Sequence, residues 1–80
     1  MKNLDRYQKV FMETFEVEES VTAQNPTILT LDGWDSVAQM NFIAHLEEEF
    51  DIMMDPEDIV ELNSYEKGKE ILGKYGVLMG

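Results

Sequence analysis

The residues best suited to chemistry in this chain are Asp35 and Ser36, which follow the turn residues Asp32 and Gly33. Aspartate is a favourable N-cap, so Ser36 is expected to be the first residue of a helix. Unpaired backbone N–H groups and the helix dipole both favour an anion at that position. The Ser36 hydroxyl could therefore carry a phosphate, or it could be only a second capping residue. The residue types alone leave both interpretations open.

The same residues argue against an enzyme. The single histidine, His45, follows Ser36 by nine residues, or about 13 Å along a helix, too far for the hydrogen bond that a Ser-His pair needs. We expect His45 to be a solvated surface residue. The absence of cysteine excludes disulfides and thiolate metal sites. The acids of residues 47–49 point in different directions around a helix, so we expect no metal site.

The charge balance excludes several classes of partner. The 80 residues include 17 acidic and 6 basic side chains, which gives a net charge of -11. Nucleic acids and anionic membranes are bound mainly through Lys and Arg, so neither is an expected partner. Basic protein surfaces are the natural complement. The alternative is that the acids serve only solubility.

The hydrophobic content bounds the organisation of the chain. With 44% hydrophobic residues, we expect one core and one domain over residues 1–80. No apolar run reaches transmembrane length, and residues 1–5 do not predict a signal peptide. The sequence therefore predicts a protein that does not insert into membranes and lies in the cytoplasm.

Apolar spacing and start signals predict four helices, at about residues 4–15, 36–50, 56–61 and 64–74. Pro56 after Asp55 marks the start of the third helix, and Asn63 followed by Glu66 resembles a capping box. Gly68 inside the last helix indicates a close helix–helix contact. The expected fold is all-α: a small four-helix bundle with a long first loop and a short third helix.

The long loop, residues 16–34, contains the turn signal Asn25-Pro26. Loops of that length in a small domain tend to be functional or mobile. We expect its apolar residues to hold it to the core, and these are Val21, Ile28, Leu29 and Leu31.

The helix that follows Asp35 has two distinct stripes. One stripe has the spacing of an inward-facing set, and its members are Phe42, Ile43, Leu46 and Phe50. A second stripe combines apolar residues near Ser36 with acids further along and predicts a protein-docking surface. Its members are Val37, Met40, Ala44, Glu47 and Glu48. The alternative is that Val37 and Met40 pack under the preceding loop.

The segment Asp35-Ser36-Val37, preceded by Gly33 and followed by Leu-Glu-Glu-Glu-Phe at residues 46–50, resembles the signature of acyl carrier proteins. The resemblance covers nearly the whole chain in its order of helices. It implies that Ser36 carries a 4'-phosphopantetheine arm through a phosphodiester, and that the arm's thiol holds acyl groups as thioesters. It also implies that Asp35 contacts the phosphopantetheinyl transferase or its metal-bound coenzyme A.

The resemblance also implies partners and a cargo site. The second stripe would dock on basic patches of the transferase and of acyl-loading ligases or synthases, with the carrier acting as a monomer. These enzymes would belong to fatty-acid, polyketide or another dedicated acyl pathway of lipid metabolism. The acyl chain would tuck between the helices, near an apolar set of residues. That set is Phe42, Ile43, Leu46, Ile59, Leu62 and Leu72.

Some positions depart from the family's usual pattern. Val37 replaces the common leucine, Ala38 and Asn41 stand where acids are usual, and Trp34 is unusual before the Asp-Ser pair. These departures favour a specialised stand-alone carrier of acyl or aminoacyl groups, D-alanine among them. The competing interpretation is an unmodified acidic helical adaptor in which Ser36 has only a structural role.

Overall fold

The computed structural model describes residues 2–79 and contains five helices within them. They are α1 (Asn3–Phe15), α2 (Glu19–Thr22), α3 (Ser36–Phe50), α4 (Pro56–Glu61) and α5 (Tyr65–Lys74). The predicted all-α fold is confirmed. None of the helices in the described residues is both long enough and apolar enough to cross a membrane.

Helices α1, α3 and α5 enclose an aromatic core. Tyr7 and Phe11 of α1 are fully buried, as is Phe42 of α3. The Phe11 ring lies 5.4 Å from the Phe42 ring and 5.0 Å from the Tyr65 ring, both edge-on. Such edge-to-face pairs add to the stabilisation that burial of the rings provides. Of the predicted inward stripe of α3, Phe42, Ile43 and Leu46 are buried, whereas Phe50 is half-buried at the edge of the core.

Residues 16–34 are more ordered than a simple loop. The one-turn helix α2 was not predicted, and it docks on α1 through a 2.8 Å hydrogen bond from Gln8 Nε2 to Thr22 Oγ1. Four residues cannot form a stable helix alone, so this contact and the burial of Thr22 maintain it.

The expectation that Ile28 and Leu29 hold the loop to the core is wrong, because they are 44% and 92% exposed. Leu31 does pack against the core as predicted, and backbone hydrogen bonds also hold the loop. Ile28 N donates to Asn63 O, and Tyr65 N donates to Pro26 O, each at 2.9 Å. The loop is therefore pinned to the junction between α4 and α5 by main-chain groups, which side-chain hydrophobicity does not report.

The caps of α4 and α5 also differ from the predictions. Asp55 is the N-cap of α4, but its side chain makes no capping hydrogen bond. Helix α5 is capped by Ser64, whose hydroxyl accepts from Lys67 N at 3.0 Å. Because Asn63 O is occupied by the loop, the start of α5 shifts one residue beyond the predicted capping box.

The close contact predicted at Gly68 is confirmed. A Cβ atom there would overlap the Tyr7 hydroxyl and lie 2.9 Å from Tyr7 Cζ and 3.0 Å from Leu62 Cδ1. The Tyr7 hydroxyl cannot move freely, because it is buried and donates to Tyr65 O at 2.7 Å. Burial raises the pKa of Tyr7, so this donor keeps its proton.

We expect Gly68→Ala to lower the free energy of unfolding by about 1–3 kcal/mol, because the added methyl overpacks the core. Urea denaturation followed by circular dichroism measures this change. Gly73→Ala is the matched control in the same helix, where an added Cβ meets nothing within 4 Å. It should stabilise α5 by about 0.5–1 kcal/mol. Equal effects at the two glycines would contradict the close contact between Gly68 and Tyr7.

Candidate functional site at the start of helix α3

The start of α3 has the predicted geometry. The Asp35 carboxylate accepts from Ala38 N at 2.9 Å, and Asp35 O accepts from Gln39 N at the same distance. Ser36 is the first residue of the 15-residue helix and is exposed. Its hydroxyl therefore lies beside the positive end of the helix dipole, open to solvent and to another protein.

A hydrogen-bonded chain that was not predicted lies next to Ser36. Trp34 is 3% exposed, and its Nε1 donates to Gln39 Oε1 at 2.5 Å. Gln39 Nε2 in turn donates to Ile59 O at 2.9 Å and to Leu62 O at 3.0 Å. The Gln39 amide thus joins the residue before the Asp-Ser pair to the C-terminal end of α4. No local sequence signal marks this role, because it depends on where α4 packs.

A groove of about 490 Å³ lies beside Ser36, between α3 and α4. Among the residues predicted to hold an acyl chain, Ile59 and Leu62 line it. The other four belong to the packed core and do not line the groove: Phe42, Ile43, Leu46 and Leu72. The full lining is Ile28, Asp35, Ser36, Gln39, Met40, Ile59, Val60, Leu62 and Asn63.

The second stripe of α3, called the outer stripe from here on, is exposed apart from Glu47. Val37 is 71% and Met40 59% exposed, and Ala44 and Glu48 are exposed further along the helix. The alternative in which Val37 and Met40 pack under the loop is therefore wrong. A face with two exposed apolar side chains and an acid is available to a partner.

Glu47 differs from the rest of this stripe. Its side chain turns toward the following segment, where Oε2 accepts from Met54 N at 2.9 Å. It is half-buried, whereas Glu48 is exposed. Glu47 therefore shapes the chain between α3 and α4, and a substitution there would change the fold as well as the surface charge.

His45 lies away from Ser36, as the spacing predicted. It is exposed, and its Nδ1 lies 2.8 Å from Thr14 Oγ1. It lines a separate cleft between α1 and α3, together with Val10, Glu13, Glu48 and Glu49. Across residues 2–79, no cluster of three or more His, Cys, Asp or Glu side chains could hold a metal ion.

Helix α4, the far wall of the groove, is fixed to α5 by a buried carboxylate. The Asp58 side chain is 5% exposed and lies 2.5 Å from both Lys74 Nζ and the Tyr75 hydroxyl. Tyr75 Oη also accepts from Asp55 N at 2.8 Å. The bond to Lys74, followed by the bond to Tyr75, lowers the pKa of Asp58. The same ion pair raises the pKa of Lys74.

Comparisons with known proteins match the part of the chain that contains this site. A family model described as "Phosphopantetheine attachment site" matches residues 29–67, which contain Asp35, Ser36 and all of the groove lining except Ile28. An acyl carrier protein of Buchnera aphidicola subsp. Acyrthosiphon pisum (strain Tuc7) is 28% identical over 75 residues, covering 92% of this chain and 94% of the relative. The acyl carrier protein of strain 5A is 27% identical over 73 residues, covering 90% and 91%. No solved structure gives a significant match.

The chain is similar to acyl carrier proteins, both in the attachment-site match over residues 29–67 and in relatives aligned over about nine-tenths of its length. Members of this family are carriers and not enzymes, and 4'-phosphopantetheine is their covalent cofactor. The residues present fit that group. An exposed hydroxyl stands at a helix N-terminus, where backbone N–H groups favour a phosphate, and an apolar-walled groove adjoins it.

We expect Asp58→Asn to lower the urea midpoint at neutral pH, because it removes the charge to which Lys74 and Tyr75 bond. Since the pKa of Asp58 is lowered from 3.8, the stabilisation from its ionisation is fully present above pH 3.8, as long as Lys74 and the Tyr75 hydroxyl keep their protons. That contribution is lost as the pH falls through the lowered pKa. Urea denaturation of both proteins across this range should show a flatter acid dependence for the variant.

Asp55→Asn is the matched control for this measurement. It makes the same chemical change at the start of the same helix, where the side chain makes no capping bond. It should leave the acid dependence close to that of the wild type. A control that lowers the midpoint as much as Asp58→Asn would contradict the assignment to Asp58.

Proposed function

We propose that Ser36 bears the 4'-phosphopantetheine arm, bonded through its Oγ to the arm's phosphate as a phosphodiester. The observation that carries this proposal is the position of Ser36. It is an exposed hydroxyl at the first residue of a 15-residue helix, beside a groove with apolar walls. The Asp35 carboxylate fixes that helix start by capping Ala38 N and lies where a transferase or its metal-bound coenzyme A could contact it.

When bound, the arm supplies a thiol that can hold an acyl group as a thioester. The chain itself has no cysteine, so its own residues provide no thiol for this chemistry. Their contribution is positional. They hold Ser36 exposed, offer a groove beside it, and keep α4 in place through Gln39 on one side and Asp58 on the other.

The outer stripe of α3 supports a docking role toward the phosphopantetheinyl transferase and acyl-loading or acyl-using enzymes. Val37 and Met40 offer exposed apolar area close to Ser36, and Glu48 offers charge further along. The net charge of -11 would steer basic enzyme surfaces toward the carrier. A dedicated acyl pathway, a monomeric state and a cytoplasmic location stay predictions.

The first test is the intact mass of the purified protein after incubation with coenzyme A and a broad-specificity phosphopantetheinyl transferase. Wild type should gain the mass of one arm, because its Ser36 hydroxyl is free to bond to the arm's phosphate. Ser36→Ala should gain none, since it lacks the hydroxyl.

Ser20→Ala is the matched control, because Ser20 is exposed on α2 away from the groove. It should be modified like the wild type. A folded wild type that starts unmodified and gains no mass would instead favour the unmodified acidic adaptor.

The docking surface is tested by the KM of the same transferase for the carrier. We expect Glu48→Lys to raise this KM about three- to fivefold at low salt, as the loss and reversal of an exposed ion pair predicts. The rise in KM should shrink at high salt, because dissolved ions then reduce the interaction between charges to a range of about 8 Å or less. Glu48 is a cleaner probe than Glu47, since Glu47 also bonds to Met54 N.

Glu70→Lys makes the same change in net charge on α5 and serves as the control. It should leave KM close to the wild-type value in both salt conditions. If both variants raise KM equally, net charge alone is responsible and the α3 docking surface is refuted.

A further inference from the structure

We propose that Gln39 is a specificity-determining residue of this carrier. By closing the floor of the groove beside Ser36, it restricts the cargo to short acyl groups that stay in the groove. A long chain could not then be buried inside the bundle. This inference rests on the proposed function of Ser36, because the arm delivers its cargo from that residue.

The orientation of the Gln39 amide is fixed by its partners. The indole N–H of Trp34 can only donate, so the Gln39 oxygen must face it, and the Gln39 NH₂ group must face the carbonyls of Ile59 and Leu62. One side chain thereby satisfies three other polar groups. Gln39 lies three residues after Ser36, on the side of α3 that lines the groove. It stands between the attachment residue and the core.

The core beneath Gln39 is closely packed. Leu62, the most buried residue of the groove lining, is 1% exposed. Trp34 packs against the rings of Phe11, Phe15 and Phe42, at centroid distances of 5.6, 4.9 and 5.9 Å. An acyl chain that entered here would have to displace the Gln39 amide. The Trp34 N–H and the Leu62 carbonyl would then lose their Gln39 partner, and the Ile59 carbonyl would keep only the 3.4 Å bond from Leu62 N, which is unfavourable.

A short acyl group requires no such rearrangement. Ile28, Met40 and Val60 provide exposed apolar walls at the surface. A few methylene groups can be partly removed from water against them, while the three Gln39 hydrogen bonds remain intact. The gain from burying further methylenes would have to exceed the loss of those bonds. The contacts of Gln39 thus set a chain length beyond which additional methylene groups gain no further protection from water.

The test uses wild-type protein loaded with acetyl, butyryl, octanoyl or palmitoyl groups. The same transferase loads each of them from the corresponding acyl coenzyme A, and intact mass confirms loading. Hydroxylamine cleavage of each thioester is compared with the same thioester on free pantetheine. Emission from Trp34, the single tryptophan, and Tm are measured on the same samples. We expect the relative cleavage rate, the emission maximum and Tm to stay constant from butyryl to palmitoyl, because the groove shields only the first few methylene groups.

Gln39→Ala removes the side chain that closes the floor of the groove, so cleavage rate, emission and Tm should then depend on chain length. We expect its octanoyl form to be cleaved several-fold more slowly than its acetyl form, relative to free pantetheine. Its Tm should rise by about 4 °C or more on octanoyl loading, and the Trp34 emission should shift. Trp34→Phe removes the indole donor while keeping an aromatic ring. Its octanoyl thioester should also be cleaved more slowly than its acetyl thioester, relative to free pantetheine. Gln24→Ala is the control, at an exposed glutamine remote from the groove, and should behave like the wild type.

The wild-type series decides the proposal even if Gln39→Ala fails to fold. Wild-type octanoyl or palmitoyl thioesters protected several-fold over butyryl, with a shift in Trp34 emission, would overturn the role of Gln39 while leaving Ser36 as the attachment residue. A chain-length-independent response in a folded Gln39→Ala protein would also overturn it. Failure of the wild type to gain any arm would instead overturn the proposed function, and this inference with it.

Discussion

Phe11 packs against four other aromatic rings, and the position of the functional site depends on that packing. Its partners are Phe15 in its own helix, Trp34 before α3, Phe42 in α3 and Tyr65 in α5. A domain of this size buries only about 60% of its unfolded surface, so a few large rings must supply much of the core. Because Trp34 is one of these rings, the core fixes the residue next to the Asp-Ser pair, and with it the start of α3.

The local features of the fold could be predicted, because their causes lie within a few residues. The Asp35 cap and the bounds of α3 and α4 follow from capping, proline placement and apolar spacing. The exposure of Ile28 and Leu29 could not be predicted in the same way. The groups that bond that loop to the chain are backbone atoms of the α4–α5 junction, which apolar spacing does not locate. The close contact at Gly68 was predicted from residue type, but its partner, Tyr7, lies 61 positions earlier in the chain.

The candidate site likewise has features that the sequence predicts and features that it does not. The exposure of Ser36 and of the outer stripe of α3 agrees with the sequence analysis, since helical periodicity determines both. The structural roles of Gln39, Glu47 and Asp58 did not emerge, because each depends on atoms in another element. Glutamate in an acidic run predicts a solvated face. Only the fold shows that Glu47 bonds to a backbone N–H while its neighbour Glu48 remains available to a partner.

Helix α4 is the element through which these non-local contacts reach the site. Its six residues are too few to be stable alone. Two unlike interactions hold it: the neutral Gln39 amide toward α3, and the charged Asp58 toward α5. Only the second depends on protonation, so acid weakens the hold of α5 on α4 and leaves the hydrogen bonds to Gln39 intact. The contact that closes the groove beneath Ser36 is therefore chemically independent of the one that fixes α4 to the rest of the bundle. A change in cargo length and a change in stability can arise from different residues of the same short helix and its neighbours.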